Sequence, residues 1–162
     1  MKFFKVIRFD SSDDNVFPKG AVADEWAVSG AFEFGMAEPG ELTGKYKQAF
    51  SNGVLGLNSW GRSTFVTVAE MPEAEYELAV ERLIDYFVQE LSAPSRKEAE
   101  PYAREEVDYI VEMCSEKPIN TLFAVRRFVD EDDNMREAFH EITRKPGETD
   151  HARIWEMVPD DD

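Results

Sequence analysis

The stretch from Pro72 to Leu91, PEAEYELAVERLIDYFVQEL, decides the fold. Tyr76, Val80, Leu83, Ile84, Phe87, Val88 and Leu91 recur at helical spacing and make one continuous apolar stripe. Pro72 suits the first position of a helix, where its missing N–H costs nothing. Ala93-Pro94 interrupts the pattern, and a second helical face follows in Tyr102, Val107, Ile110, Val111 and Cys114. Ser95 and Glu98 stand three apart, as in a capping box, although Pro101 suits a later start. The spacing predicts two long helices in an antiparallel hairpin, each with one apolar stripe that needs a second layer to cover it.

That layer is read from the flanking segments. Phe3 to Phe9 opens the chain as a strand, with Phe3, Lys5, Ile7 and Phe9 on one face and Phe4, Val6 and Arg8 on the other. Glu25 to Phe34 alternates in the same way, with Gly30 marking a bulge or a close backbone approach. Leu42 to Phe50 reads as a short helix, weakened at Gly44 by about 1 kcal/mol relative to alanine. Val54 to Leu57 and Ser63 to Ala69 read as strands joined by the turn Asn58-Ser-Trp-Gly61. After the hairpin, Thr121 to Val129 is rich in β-formers. Asp130 to Asp133 then reads as the start of a helix, with Met135, Ala138, Phe139 and Ile142 on one face, closed by Arg144 and Lys145 and stopped by Pro146-Gly147. Ala152 to Val158 reads as a last strand before a frayed acidic tail at 159–162. The expectation is a single α+β domain over 1–162. Its mostly antiparallel sheet has about five or six strands, with the long hairpin and one or two shorter helices packed on one side.

The chain has 162 residues, 43% of them hydrophobic, enough to bury a core without staples. Its 34 acidic and 18 basic residues give a formal net charge of -16. Such a surface repels phosphate backbones, so nucleic acid and anionic membrane are not expected as partners. The acidity reads either as a solubility or salt adaptation, or as a face for a basic partner protein or a cation. Cys114 is the one cysteine, so no intramolecular disulfide forms and a reducing, cytoplasmic location is expected. MKFFKVIRFD lacks a signal-peptide core, and no segment approaches the roughly 20 apolar residues of a membrane span.

No motif carries a complete chemistry. Cys114 shares a helical face with Val107, Ile110 and Val111, so it is expected to be a buried core thiol rather than a nucleophile. His140-Glu141 begins like HExxH, but Arg144 stands where the second histidine belongs, and His151 is the only other histidine. Asp10, Asp13, Asp14 and Asn15 lack the order and the glycine of a calcium loop. Gly53, Gly56 and Gly61 match no phosphate-binding pattern. No catalytic residue, metal or cofactor is therefore assigned. Two weaker features are carried forward. Asn58, Ser59, Trp60 and Arg62 place amide, hydroxyl, indole and guanidinium groups in one loop, a candidate for recognition of a ligand or partner. Glu77, Glu81 and Asp85 continue from Glu73 at every fourth residue of the first helix, and Glu105, Asp108 and Glu112 line the second. Like charges so spaced cost about 0.2–0.5 kcal/mol per pair, so they read as a solvated face or as an acidic docking face.

Three stretches, Glu25-Trp-Ala-Val-Ser-Gly-Ala-Phe-Glu-Phe34, Gln48-Ala-Phe-Ser-Asn-Gly-Val-Leu-Gly56 and Gly61-Arg-Ser-Thr-Phe65, carry a resemblance that covers most of the chain. The order of features resembles a family of short, uncharacterised bacterial proteins of about this length, a domain of unknown function. The resemblance implies no activity, cofactor or site residue.

Two functional readings follow. The first is a non-enzymatic cytoplasmic accessory protein that acts through protein contacts. The alternative is a binding or enzymatic domain with a pocket between sheet and helices, in which Arg62, Trp60 or the Arg126-Arg127 pair holds an acidic ligand. Trp26, Phe32 and Phe34 share one strand face and Phe3, Ile7 and Phe9 another, while Phe4, Val6 and the strand from Leu122 to Phe128 add apolar surface on the opposite sides; the helices cover one face of the sheet, so the surface left over predicts a homodimer through the sheet side. A light-scattering mass near 18.6 kDa would exclude it.

Overall fold

A computed structural model describes residues 1–35, 37–144 and 155–159. Its elements in chain order are β1 (Lys2–Ile7), α1 (Ser12–Val16), β2 (Trp26–Val28), α2 (Gly44–Asn52), β3 (Val54–Gly56), β4 (Arg62–Ser63), β5 (Phe65–Glu70), α3 (Glu73–Gln89), α4 (Arg96–Cys114), β6 (Leu122–Val129), β7 (Met135–Arg144) and β8 (Trp155–Pro159). Short 3-10 turns at Ala31–Phe34 and Pro39–Glu41 lie between β2 and α2. The fold is α+β. All the strands join one antiparallel sheet in the order β4-β3-β2-β1-β5-β6-β7-β8.

The stripe on α3 buries Val80, Leu83, Ile84 and Phe87. On α4 the buried positions are Ala99, Ala103, Val107, Ile110 and Cys114. Ser95 caps α4 as its sequence predicts, its Oγ accepting from Glu98 N at 3.1 Å. The two helices run antiparallel, since Arg104 reaches back to Glu77 and Arg96 to Glu81 and Asp85. α4 packs on β1 and β2, while α2 packs on β6.

In the central strands the pleat sorts the side chains by register. Phe4 pairs with Val68, Val6 with Val66, Val66 with Phe123 and Val125 with Phe139. All of these belong to the main core with Val107, Ile110 and Cys114 of α4. Ile7, Phe65, Leu122, Ala124 and Ile142 form a separate cluster from the opposite face, and Phe9 and Phe128 remain exposed.

Three expectations are corrected. The sheet has eight strands rather than five or six, because β3 and β4 are very short and β7 and β8 extend the other edge. The strand expected over Glu25 to Phe34 stops at Val28, and the chain turns through Gly30, at φ 76°, into a 3-10 turn. Side-chain atoms of Arg62 and Leu55, rather than another backbone segment, fill the space that a side chain at Gly30 would need. The helix expected after Asp130 is the strand β7. The same Met135, Ala138, Phe139 and Ile142 that fit a helical period sit in an antiparallel ladder with β6. Asp130 makes the turn: its carboxylate accepts from Asp132 N and Asn134 N, and Asp133 adopts the left-handed conformation at φ 61°. A long run of β-formers in β6 offers a row of backbone groups, and satisfying that row overrides a weak local preference. The expected last strand is present as Trp155–Pro159; residues 152–154 and 160–162 lie outside the described residues.

Candidate functional site

The loop Asn58–Arg62 is folded onto one buried carboxylate. Glu25 accepts from Val22 N at 2.6 Å, Asn58 N at 2.8 Å, Ser59 N at 2.9 Å and Ser59 Oγ at 2.6 Å. Ser59 Oγ in turn accepts from Gly61 N at 3.0 Å. Trp60 packs its ring 5.0 Å from that of Tyr86 on α3, and only Asn58 is exposed. The polar atoms that made this loop a recognition candidate are thus largely engaged with the protein itself.

Arg62 belongs to a second buried system. Its guanidinium donates to Gly53 O at 3.2 Å, Gly30 O at 3.1 Å and Glu33 Oε1 at 2.5 Å, and lies over the Phe34 ring. Arg127 is only 2% exposed. Its Nε donates to Glu137 Oε2 at 2.6 Å, directly opposite on β7. Nη1 donates to Phe50 O and Gly53 O, both at 2.9 Å, and Nη2 donates to the Ser29 carbonyl. The Phe50 carbonyl lies in the last turn of α2, where a cation also meets the negative end of the helix dipole. Ser29 Oγ donates to Glu137 at 2.5 Å, and Tyr86 donates from its hydroxyl to Glu33 at 3.1 Å. Burial of the charge pushes the Arg127 pKa down, and Glu137 counters it. This network ties β2, the first 3-10 turn, α2, β3, β4, β6 and β7 together. Its arginines are supplied with protein acceptors on every nitrogen of Arg127 and on both terminal nitrogens of Arg62. Arg126, the next residue on the strand, is exposed on the other face.

The acidic helix face divides in two. Glu81 and Asp85 both pair with Arg96 at 2.5 Å. Glu77 and Glu100 pair with Arg104 at 3.3 Å, and Asp108 accepts from the Tyr76 hydroxyl at 2.6 Å. Glu105 and Glu112 make no ion pair among the described residues. They sit on a stripe of α4 that repeats acid and tyrosine at helical spacing: Glu98, Tyr102, Glu105, Tyr109, Glu112. Tyr102 is 67% exposed.

That stripe borders a groove of about 890 Å³ where the α3–α4 turn meets the Ala31–Phe34 turn. Phe32, Phe87, Leu91, Ala93, Pro94, Ala99, Pro101 and Tyr102 line it, with Glu98, Glu105 and Glu106 as its charged groups and no cation among the described lining residues. A second hollow of about 740 Å³ continues along α4 past Arg104, Asp108, Tyr109 and Glu112. Glu106 lies on both. Its carboxyl is half-buried and makes no hydrogen bond or ion pair among the described residues. Burial pushes its pKa up to about 7, with Glu137 and Glu105 adding to the rise and Arg127 opposing it. Cys114 is fully buried, and burial pushes its thiol up to about 12, so it is not a thiolate near neutrality.

The sequence names Glu105, Asp108 and Glu112 as a candidate acidic face but does not single out Glu106 or the groove. It also placed Tyr102 on the buried face of α4. The buried stripe instead runs Ala99, Ala103, Val107, Ile110, Cys114, which leaves Tyr102 pointing away from it. Small residues at two core positions, with a large aromatic one step out of register, are the signal that locates the groove.

A family model described as "Family of unknown function (DUF6505)" matches residues 1–158, and the chain belongs to that family. No curated protein and no solved structure matches it. Among the described residues no helix is long and apolar enough to cross a membrane.

Proposed function

We propose that this member of the family is a docking module that holds a basic, amphipathic segment of a partner protein in the groove beside α4. The observation that carries the reading is the composition of that groove: an apolar and aromatic floor, a rim of Glu98 and Glu105, and no cation among the described lining residues. Apolar side chains of a bound segment would displace water from Phe32, Leu91 and Tyr102. Its lysines or arginines would meet the acids, which also raises the encounter rate. The module needs no chemistry of its own, in keeping with a chain that offers no catalytic constellation in its sequence. A reducing, cytoplasmic setting fits the buried Cys114.

The alternative, an acidic ligand held by Arg62, Trp60 or the Arg126-Arg127 pair, has less to support it. Arg62 and Arg127 are engaged with backbone carbonyls and with Glu33 and Glu137, and Trp60 with Tyr86.

The test is a fluorescence titration with a labelled helical peptide carrying lysines on one face and leucines on the other. Saturable binding is expected to the wild-type protein. The double variant Glu98→Lys, Glu105→Lys should bind about tenfold more weakly, and Arg126→Glu, away from the groove, should bind as the wild type does. Equal binding of a peptide with glutamates in place of lysines would refute the reading, as would indifference to the double charge reversal.

A further inference from the structure

Glu106 borders both hollows and makes no ion pair among the described residues. It stands on α4 one position before Val107, whose side chain is fully buried, so its own carboxyl is drawn halfway into the protein. The charged groups facing it are Glu137 from β7, Arg127 from β6 and Glu105 from its own helix. Two cations lie near it among the described residues, and both are engaged: Arg127 is committed to Glu137, to Ser29 and to the carbonyls at the end of α2, and Arg104, on the second hollow, to Glu77 and Glu100. A half-buried carboxylate with two like-charged neighbours and no cation of its own is an incomplete ion pair. It takes up either a proton or a cation from outside. The outside, here, is the apolar groove that Glu106 lines together with Phe32, Phe87 and Tyr102.

We propose that Glu106 is the anchor of the groove: it accepts one lysine or arginine side chain of the bound segment, and the incoming cation replaces the proton that the empty site holds. The proposal rests on the docking reading and names the contact that gives it charge selectivity. The aliphatic stem of a lysine or arginine lies along the apolar floor while its head reaches the carboxylate, a combination that suits these two side chains. Proton and cation compete for one carboxylate. Binding therefore weakens as the pH falls and Glu106 is protonated, and strengthens as the pH rises. The rim acids Glu98 and Glu105 lie at the surface and supply attraction without this competition.

The experiment uses a capped, histidine-free peptide of the same amphipathic design with a single lysine, titrated into the full-length protein between pH 5.5 and 8.5. Wild type should gain about tenfold in affinity across that range, and calorimetry in two buffers of different ionisation enthalpy should show a proton released on binding near pH 6.5. Glu106→Gln should bind about tenfold more weakly at pH 8.5, with a flat pH profile and no proton release, while Glu106→Asp restores the pH dependence in part. A thermal melt of the glutamine variant checks that it is folded. Peptide binding that is flat with pH in the wild type, or unchanged in Glu106→Gln at pH 8.5, would overturn the anchor and leave the docking reading standing. Absence of binding at every pH would overturn both.

Discussion

Two charge clusters meet at Glu137, and they are opposites. On one side Arg127 and Arg62 are buried, and their guanidinium groups are held by Glu137, Glu33, Ser29, Gly30, Phe50 and Gly53. On the other side Glu106, Glu98 and Glu105 line a groove with no cation among its described lining residues. Burying a guanidinium is costly unless its donors are met, and here they are met by backbone carbonyls at the end of α2 and in the turns after β2 and by two carboxylates. Such a cluster has no capacity left for a ligand. The acids of the groove have kept theirs. What distinguishes a structural charge from a recognition charge is therefore not its burial or its residue type but whether the protein has already supplied its counterpart.

The sharpest way to break this comparison is to empty the first cluster. Arg127→Ala leaves Glu137 half-buried without its cation and removes a donor from the carbonyls of Ser29, Phe50 and Gly53, the last of which keeps Arg62. It should cost about 3–5 kcal/mol in urea unfolding. Truncating the groove with Tyr102→Ala should cost about 0.5 kcal/mol or less, because that ring is mostly in water. Similar losses from the two substitutions would mean that the groove is part of the framework, or that the arginine is not.

A smaller effect sharpens the boundary between the clusters. Glu106 carries a folded-state pKa of about 7, above its unfolded value of 4.5. The unfolded chain gives up this proton first, so the stability tied to the protonated form is complete below about 4.5 and is lost as the pH rises through about 7. Glu106→Gln keeps the neutral shape at every pH. Its melting temperature should exceed that of the wild type at pH 8 and fall level with it, or below, at pH 4.5. A variant less stable than wild type at pH 8 would mean that the charged form has a partner in the folded protein.

The helical layer was legible because a stripe of large apolar residues over Pro72 to Leu91 has no other use than burial. Cys114 followed from the same periodicity. The strands β1, β5 and β6 were legible from alternation and β-branched content. What was hidden depended on pairing. Met135 to Arg144 has helical spacing in its apolar residues and becomes a strand because β6 needs a neighbour and because Glu137 meets Arg127 across the ladder. The role of Arg62 was hidden for a related reason: its acceptors, Gly30, Glu33 and Gly53, are dispersed along the chain and converge only when the sheet curls. Glu25 held the loop that looked like a binding site, and nothing in Asn58-Ser-Trp-Gly61 announces a carboxylate more than thirty residues earlier. The groove left a partial trace, in the acid and tyrosine repeat along α4 and in the alanines that put Tyr102 out of step.

On the proposed reading a partner meets the groove beside α4, and neither the arginine cluster nor the Asn58–Arg62 loop. Amide chemical-shift mapping with the lysine and leucine peptide tests it most directly. Saturating peptide is expected to shift Phe32, Leu91, Tyr102, Glu105 and Glu106, while Asn58 to Arg62 and the Arg126-Arg127 pair stay in place. Shifts concentrated on Asn58 to Arg62 or around Arg127, with the α4 stripe unmoved, would contradict it.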